Sequence, residues 1–169
     1  PFKHIIVWLF AHLILITSGL VIADEYTLQR QQMVNVIEDD VHTTEKTINK
    51  KSFNEVVMQA MNSVPRHEFV PAGLRSQAYE NRPLPIGHGQ TISQPYIVAL
   101  MTDLLEPQQD QRILEIGTGS GYQAAVLAQL VAQVYSIEII EALGESSTQL
   151  LSRLEYDNIK TRIADGYNG

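Results

Sequence analysis

Hydrophobic and polar positions divide this chain into stretches of different period. Lys3 and His4 precede an apolar run from Ile5 to Ile16, which Ser18-Gly19 ends. A positive flank, a short greasy core and a small-residue exit at Val21-Ile22-Ala23 form the pattern of an export signal cut before Asp24. The stretch from Ile5 to Ala23 is also close to the ~20 residues that cross a bilayer, so an uncleaved signal-anchor stays open. From Asp24 to about Lys51 the chain is polar with scattered apolar positions (Leu28, Met33, Val34, Val36, Ile37). This predicts an N-terminal helical extension, interrupted at Asp39-Asp40 and Thr43-Thr44. Ser52 and Glu55 form a capping-box pair. Val56, Val57, Ala60, Met61 and Val64 then recur at helical spacing until Pro65 stops the helix.

Residues Pro65 to Pro95 hold five of the seven prolines. The stretch predicts a loop of about thirty residues, a length that marks function or disorder. Phe69, Val70, Leu74, Tyr79, Leu84 and Ile86 give it material to pack, which favours function. Pro95 suits a helix start, and Ile97, Leu100, Met101, Leu104 and Leu105 fall on one face of the helix ending before Pro107. From Gln111 the period alternates. Strands are predicted at 112–116, 134–139 and 159–163, with helices at 122–131 and 142–154 between them. Strand-helix-strand-helix-strand implies parallel strands joined by right-handed crossovers.

Composition narrows the picture. The 169 residues are 44% hydrophobic and 18% charged, enough for one globular domain. With no cysteine, thiol nucleophiles, zinc-cysteine sites, Fe–S clusters and disulfides are excluded. A net charge of −7 argues against broad binding to nucleic acid or anionic membranes.

Candidate chemistry sits on Ile113-Leu114-Glu115-Ile116-Gly117-Thr118-Gly119-Ser120-Gly121. Glycines after a buried strand permit a tight turn and close backbone approach to a ligand. A dinucleotide fingerprint needs a glycine where Tyr122 stands, and no Gly-Lys-Ser/Thr phosphate loop is present. A carboxylate at Glu115 suits a ligand bearing an ammonium group and no pyrophosphate. Glu138 lies about 20 residues beyond the turn, at the end of the second strand, where an acid can bind ribose hydroxyls. Asp165-Gly166 follows the third strand on the same sheet edge. Solvated strand ends are the plainer reading of these acids, but it must explain three of them beside three glycines.

This three-part pattern resembles the S-adenosylmethionine site of class I methyltransferases. The resemblance implies an α/β Rossmann-like, doubly wound parallel sheet, of which 52–169 would supply only the first half. It implies that Gly117, Thr118, Gly119 and Gly121, with Glu115, wrap the methionine part of S-adenosyl-L-methionine. Glu138 would hold the ribose, and Asp165-Gly166 would meet the adenine side. A longer string is more specific. Val64-Pro65-Arg66-His67-Glu68-Phe69-Val70-Pro71 and Ile86-Gly87-His88-Gly89-Gln90-Thr91-Ile92-Ser93-Gln94-Pro95 resemble protein-L-isoaspartate O-methyltransferases, from about Phe53 to Gly169. That family methylates the free α-carboxylate of isoaspartyl residues in damaged proteins, and the ester then collapses to a succinimide. Its active-site serine falls on Ser93, with Thr91, Ile92 and Gln94 in the substrate loop.

The chemistry asks little of the protein. A carboxylate with a pKa near 4 is already ionised at neutral pH and needs no general base or metal. In-line placement and exclusion of water remain. Ser93 can orient the substrate carboxylate, or it or Thr91 can simply cap the helix through Tyr96. His67 and His88 are read as satisfying loop hydrogen bonds. Arg66, Arg82 and Gln90 either meet a carboxylate or tie the loop down. Expected partners are isoaspartyl-containing proteins, with no nucleic acid, membrane contact only through residues 1–23 if uncleaved, and a monomeric state. A methyltransferase for another carboxylate or small molecule, or an exported binding module without catalysis, remains as an alternative. An exported enzyme also lacks a local source of S-adenosylmethionine, which favours the cytoplasm if the first segment is not a working signal. A chain that starts at Pro1 and stops just beyond Asp165-Gly166 is expected to be a piece, inactive and poorly soluble alone.

Overall fold

The computed structural model describes residues 25–168, so the signal reading of 1–23 lies outside the described residues. Among the described residues are five α-helices: α1 (Glu25–Ile48), α2 (Glu55–Ser63), α3 (Pro95–Leu104), α4 (Tyr122–Ala128) and α5 (Glu141–Arg153). Strands β1 (Leu84–Gly87) and β2 (Gln90–Ile92) form an antiparallel hairpin. Strands β3 (Arg112–Ile116), β4 (Gln133–Glu138) and β5 (Ile159–Ile163) form a parallel sheet in the order β3-β4-β5.

The extension is one unbroken helix rather than the interrupted segment expected. Met33, Val34, Ile37 and Val41 are buried on one face of α1, which packs on α2 and α3. That burial outweighs the low propensity of Asp39-Asp40 and Thr43-Thr44. The two threonine hydroxyls also donate back to the Asp40 carbonyl, at 2.9 and 2.7 Å, and so stay satisfied inside the helix. The capping box fails too. The cap of α2 is Asn54, whose side chain accepts from the Val56 amide at 3.1 Å, two residues beyond Ser52.

Residues 65–95 are more ordered than a loop. They hold two 3-10 segments, Arg66–Phe69 and Ala72–Gln77, and the β1–β2 hairpin. Gly87, His88 and Gly89 all take positive φ at its turn. The expected packing residues Phe69, Val70, Tyr79 and Leu84 are buried. In α3 the apolar face noted above is mostly the outer one: Ile97, Met101 and Leu104 are exposed, Leu100 packs partly buried against the core, and Val98, Ala99 and Thr102 are buried. The helix is apolar on most sides, so periodicity alone could not select its inner face.

The α/β half follows the predicted order, with β3 and β5 at their expected spans and the ends of α4, β4 and α5 shifted by one to three residues. Helices α4 and α5 pack on the strands through Ala124, Ala125, Val126, Val134, Leu143 and Leu151. On the opposite face of the sheet Leu114, Ile116 and Tyr135 remain exposed. Runs such as Arg112–Ile116 read as strands covered on both faces, but among the described residues helices cover one.

Candidate functional site

The glycine turn forms where β3 hands over to α4. The Gly117 and Thr118 amides donate to the Ile137 carbonyl at 2.7 and 3.2 Å, tying the turn to β4. The Gly121 amide closes it on the Thr118 carbonyl at 2.8 Å. Gly117, Gly119 and Gly121 have φ of 94°, 56° and 91°, which side-chain-bearing residues rarely adopt.

Glu115 projects from β3 beside Ser136, its direct partner in the parallel register. The Ser136 hydroxyl donates to Oε2 of Glu115 through a short contact and also shares a 2.6 Å hydrogen bond with the buried Thr118 hydroxyl. Burial pushes the Glu115 carboxyl up to about 7; the Ser136 bond opposes this and the charge of Glu138 adds to it. The side chain is therefore poised to exchange its proton for a cationic partner near neutral pH.

Glu138 is nearly buried and serves the backbone. Its Oε2 accepts from the Gly119 amide at 2.8 Å and its Oε1 from the Ile140 amide at 2.9 Å. Each oxygen keeps a second lone pair. Asp165 is exposed, and its Oδ1 accepts from the Tyr167 amide at 2.9 Å.

The hairpin closes this edge from above. Thr91, Ile92, Ser93, Val98, Glu115, Gly117, Thr118, Gly119, Ser120, Tyr122 and Gln123 line one cavity of about 60 Å³. The approach segment and the glycine turn, 24 positions apart from Ser93 to Gly117, thus face each other directly. Gly121, Glu138, Asp165, Gly166 and Gln94 do not line it. Gly121 shapes the start of α4, and Gln94 precedes α3.

Helix α3 has no side-chain cap from its own N-terminal residue, so neither Ser93 nor Thr91 fills the capping role considered for them. Asn81 does that work from a distance: its Oδ1 accepts from the Tyr96 amide at 2.9 Å, and its Nδ2 donates to Asp40 of α1 at 2.5 Å. Thr44 of α1 meets the Tyr96 hydroxyl at 2.7 Å. His67 stacks on Tyr26 with ring centroids 3.8 Å apart and bonds the Tyr79 hydroxyl at 2.7 Å, a structural role. Exposed His88 sits at the hairpin tip. Arg82 pairs with Glu80 at 2.6 Å.

Val98, Gln123 and Ser136 escaped the sequence reading, and Ser120 and Tyr122 were named there without a role in the site. Ser136 could not be recovered from the predicted spans, since only the observed register, which pairs Arg112 with Gln133, sets it opposite Glu115. Gln123, whose amide nitrogen donates to Thr102 at 2.9 Å, had no signal either.

The profile of the protein-L-isoaspartate(D-aspartate) O-methyltransferase family matches residues 38–169, starting inside α1 and earlier than the motifs suggested. A protein-L-isoaspartate O-methyltransferase 2 of Syntrophobacter fumaroxidans is 59% identical over 146 residues, 86% of this chain and 59% of that protein. A solved protein-L-isoaspartate O-methyltransferase superposes with a TM-score of 0.68 at 26% identity, covering 82% of this chain and 43% of the other. A second, described as a Plasmodium falciparum protein in complex with S-adenosyl-L-homocysteine, has a TM-score of 0.58 at 23% identity, over 78% and 63% of the two chains, and shows the shared fold. The chain spans about three fifths of the length of the curated relatives it matches (59%, 61% and 64%).

Proposed function

The chain belongs to the protein-L-isoaspartate(D-aspartate) O-methyltransferase family, and from that premise we propose that it carries the donor site and approach loop of an enzyme that methylates the free α-carboxylate of L-isoaspartyl residues in damaged proteins. The observation that carries this reading is the cavity shared by Thr91–Ser93 with Glu115 and Gly117–Gly119.

The residues suit S-adenosylmethionine. Glu115, raised to about 7, gains by releasing its proton when a cationic group approaches. Left-handed glycines let backbone amides lie against a ligand with no Cβ in the way. Glu138 offers its remaining lone pairs at the ribose side, and Asp165-Gly166 stands beyond β5 toward the adenine side. Bound there, the donor supplies an electrophilic methyl group and a neutral thioether leaving group. The rest is placement. Ser93, exposed in the cavity wall, donates a hydrogen bond that orients the substrate carboxylate without taking its charge. Thr91 and Ile92 form the adjoining wall, while Gln94 continues the approach loop. The buried Glu115–Ser136–Thr118 chain fixes the turn, so the acceptor oxygen and the methyl meet in line.

The test uses the full-length enzyme bearing this segment, an isoaspartyl peptide and its normal aspartyl isomer. Methyl incorporation specific to the isoaspartyl peptide is expected, and Ser93→Ala should lower kcat/KM by roughly 10- to 100-fold (about 1.4–2.8 kcal/mol). Equal methylation of both isomers, or an unaffected variant, would remove the assignment. The same reading holds the enzyme to be monomeric, with a net charge of −7 that disfavours nucleic acid. It takes residues 1–23 as an export signal, which intact-mass analysis of the mature chain checks; a retained segment leaves the signal-anchor and the cytoplasmic alternatives, which cell fractionation separates.

A further inference from the structure

Arg66 is the largest side chain that the fold removes fully from solvent. Burial pulls its pKa below the usual arginine value, against the opposing influence of Tyr122 and Tyr79. A guanidinium keeps its proton in a protein, so a full charge is held inside. No carboxylate is ion-paired with it among the described residues. Burying a lone charge is costly, and a methionine would fill similar space without that cost.

What Arg66 does instead is join three segments. Its Nε donates to the Ala78 carbonyl at 2.7 Å, just after the second 3-10 segment. Its Nη2 donates to the Ser93 carbonyl at 2.8 Å. Its guanidinium carbon lies 4.7 Å from the ring centroid of Tyr122, the first residue of α4. Nη1 meets no acceptor in hydrogen-bond geometry. A rigid planar fork can hold two carbonyls in divergent directions while stacking on a ring; an ammonium cannot.

We propose that Arg66 is a positioning residue for methyl transfer: it sets Ser93 at a fixed height over the glycine turn by tying the Ser93 carbonyl to the face of Tyr122. The proposal rests on the donor-site reading above for its catalytic consequence, but the mechanical link is separate and is read separately.

The experiment makes Arg66→Lys and Arg66→Met in the full-length enzyme. It follows amide hydrogen exchange at 90–94 and at 133–138, with kcat and the KM of peptide and donor, at a temperature where circular dichroism shows folded protein. Arg66→Lys keeps charge and stem, so it decides the matter if Arg66→Met fails to fold. Exchange at 90–94 should rise roughly tenfold while β4 stays unchanged. The kcat should fall roughly tenfold with the donor KM within about threefold. Unchanged exchange at 90–94 overturns the proposal, even with reduced kcat. An equal rise in β4 also overturns it, since that is general loosening. If the wild-type enzyme itself fails to methylate isoaspartyl peptide, the function reading falls, and the exchange pattern alone still decides whether Arg66 holds the loop.

Discussion

The two walls of the cavity are held by different kinds of force. The sheet side, 112–138, rests mainly on backbone: the parallel ladder, turn amides on the Ile137 carbonyl, and glycine conformations that other residues rarely adopt, with the Glu115, Ser136, Thr118 and Glu138 side chains bracing the turn locally. The approach side, 66–96, rests on side chains reaching across sequence: Arg66 to Ala78 and Ser93, Asn81 to Tyr96, and Thr44 to the Tyr96 hydroxyl. A ladder distributes its strength over many equivalent bonds. A set of single side-chain ties does not, so one substitution can shift the approach side while the sheet stays intact.

The largest effect is expected where that backbone wall is most constrained. Gly121 has φ of 91°, and a Cβ there would lie 3.2 Å from Leu151. Gly121→Val adds the left-handed strain of a side-chain-bearing residue to overpacking, for a loss of about 3 kcal/mol in urea unfolding of the full-length enzyme. A loss below about 1 kcal/mol would mean that the turn relaxes and the wall is softer than described.

A loss of similar size, opposite in sign, is expected at Glu115. Its folded-state pKa of about 7 lies above the ordinary carboxyl value of 4.5. Between those values the folded chain binds the proton more tightly than the unfolded chain, so stability falls as pH rises through that window. Glu115→Gln removes this penalty. It should gain up to about 3 kcal/mol at pH 8, shrinking toward zero near pH 4.5, while weakening S-adenosylhomocysteine binding. A difference in melting temperature that is flat with pH would show that another group titrates.

The smallest of the three tests the side-chain wall. Asn81→Ala removes the remote cap of α3 and the Asp40 contact, with an expected cost of about 1–2 kcal/mol. Faster exchange should be confined to the Tyr96 amide and its neighbours. If β3–β5 amides respond equally, the two walls are one cooperative unit and the contrast fails.

The same contrast explains what was legible in the sequence. Strands β3 and β5 and the glycine turn were readable because their signals are local: apolar runs, punctuation by glycine, and acids at strand ends. Glu115 lies beside the glycine turn at the end of β3, but its partner Ser136 emerges only when two strands are set in register. On the approach side the packing residues were readable, while the hairpin was not. Its turn, Gly87-His88-Gly89, sits between runs too short to show alternation, and Pro85 lies inside one of them. The inner face of α3 was not legible because Ile97, Met101 and Leu104 are as apolar as the residues it buries. Asn81 gave no signal, since a cap supplied from 15 positions away leaves no mark near the helix it serves.

Besides the Arg66–Tyr122 stack, the two walls meet through close packing. The terminal methyl of Ile86 in β1 lies 3.3 Å from where a Cβ on Gly119 would stand. Bulk at either position is bulk taken from the other, so these two sites, distant along the chain, behave as a single steric locus. Drift at one is permitted only by matching contraction at the other, while Leu84 and Ile92 separately hold the hairpin to the core.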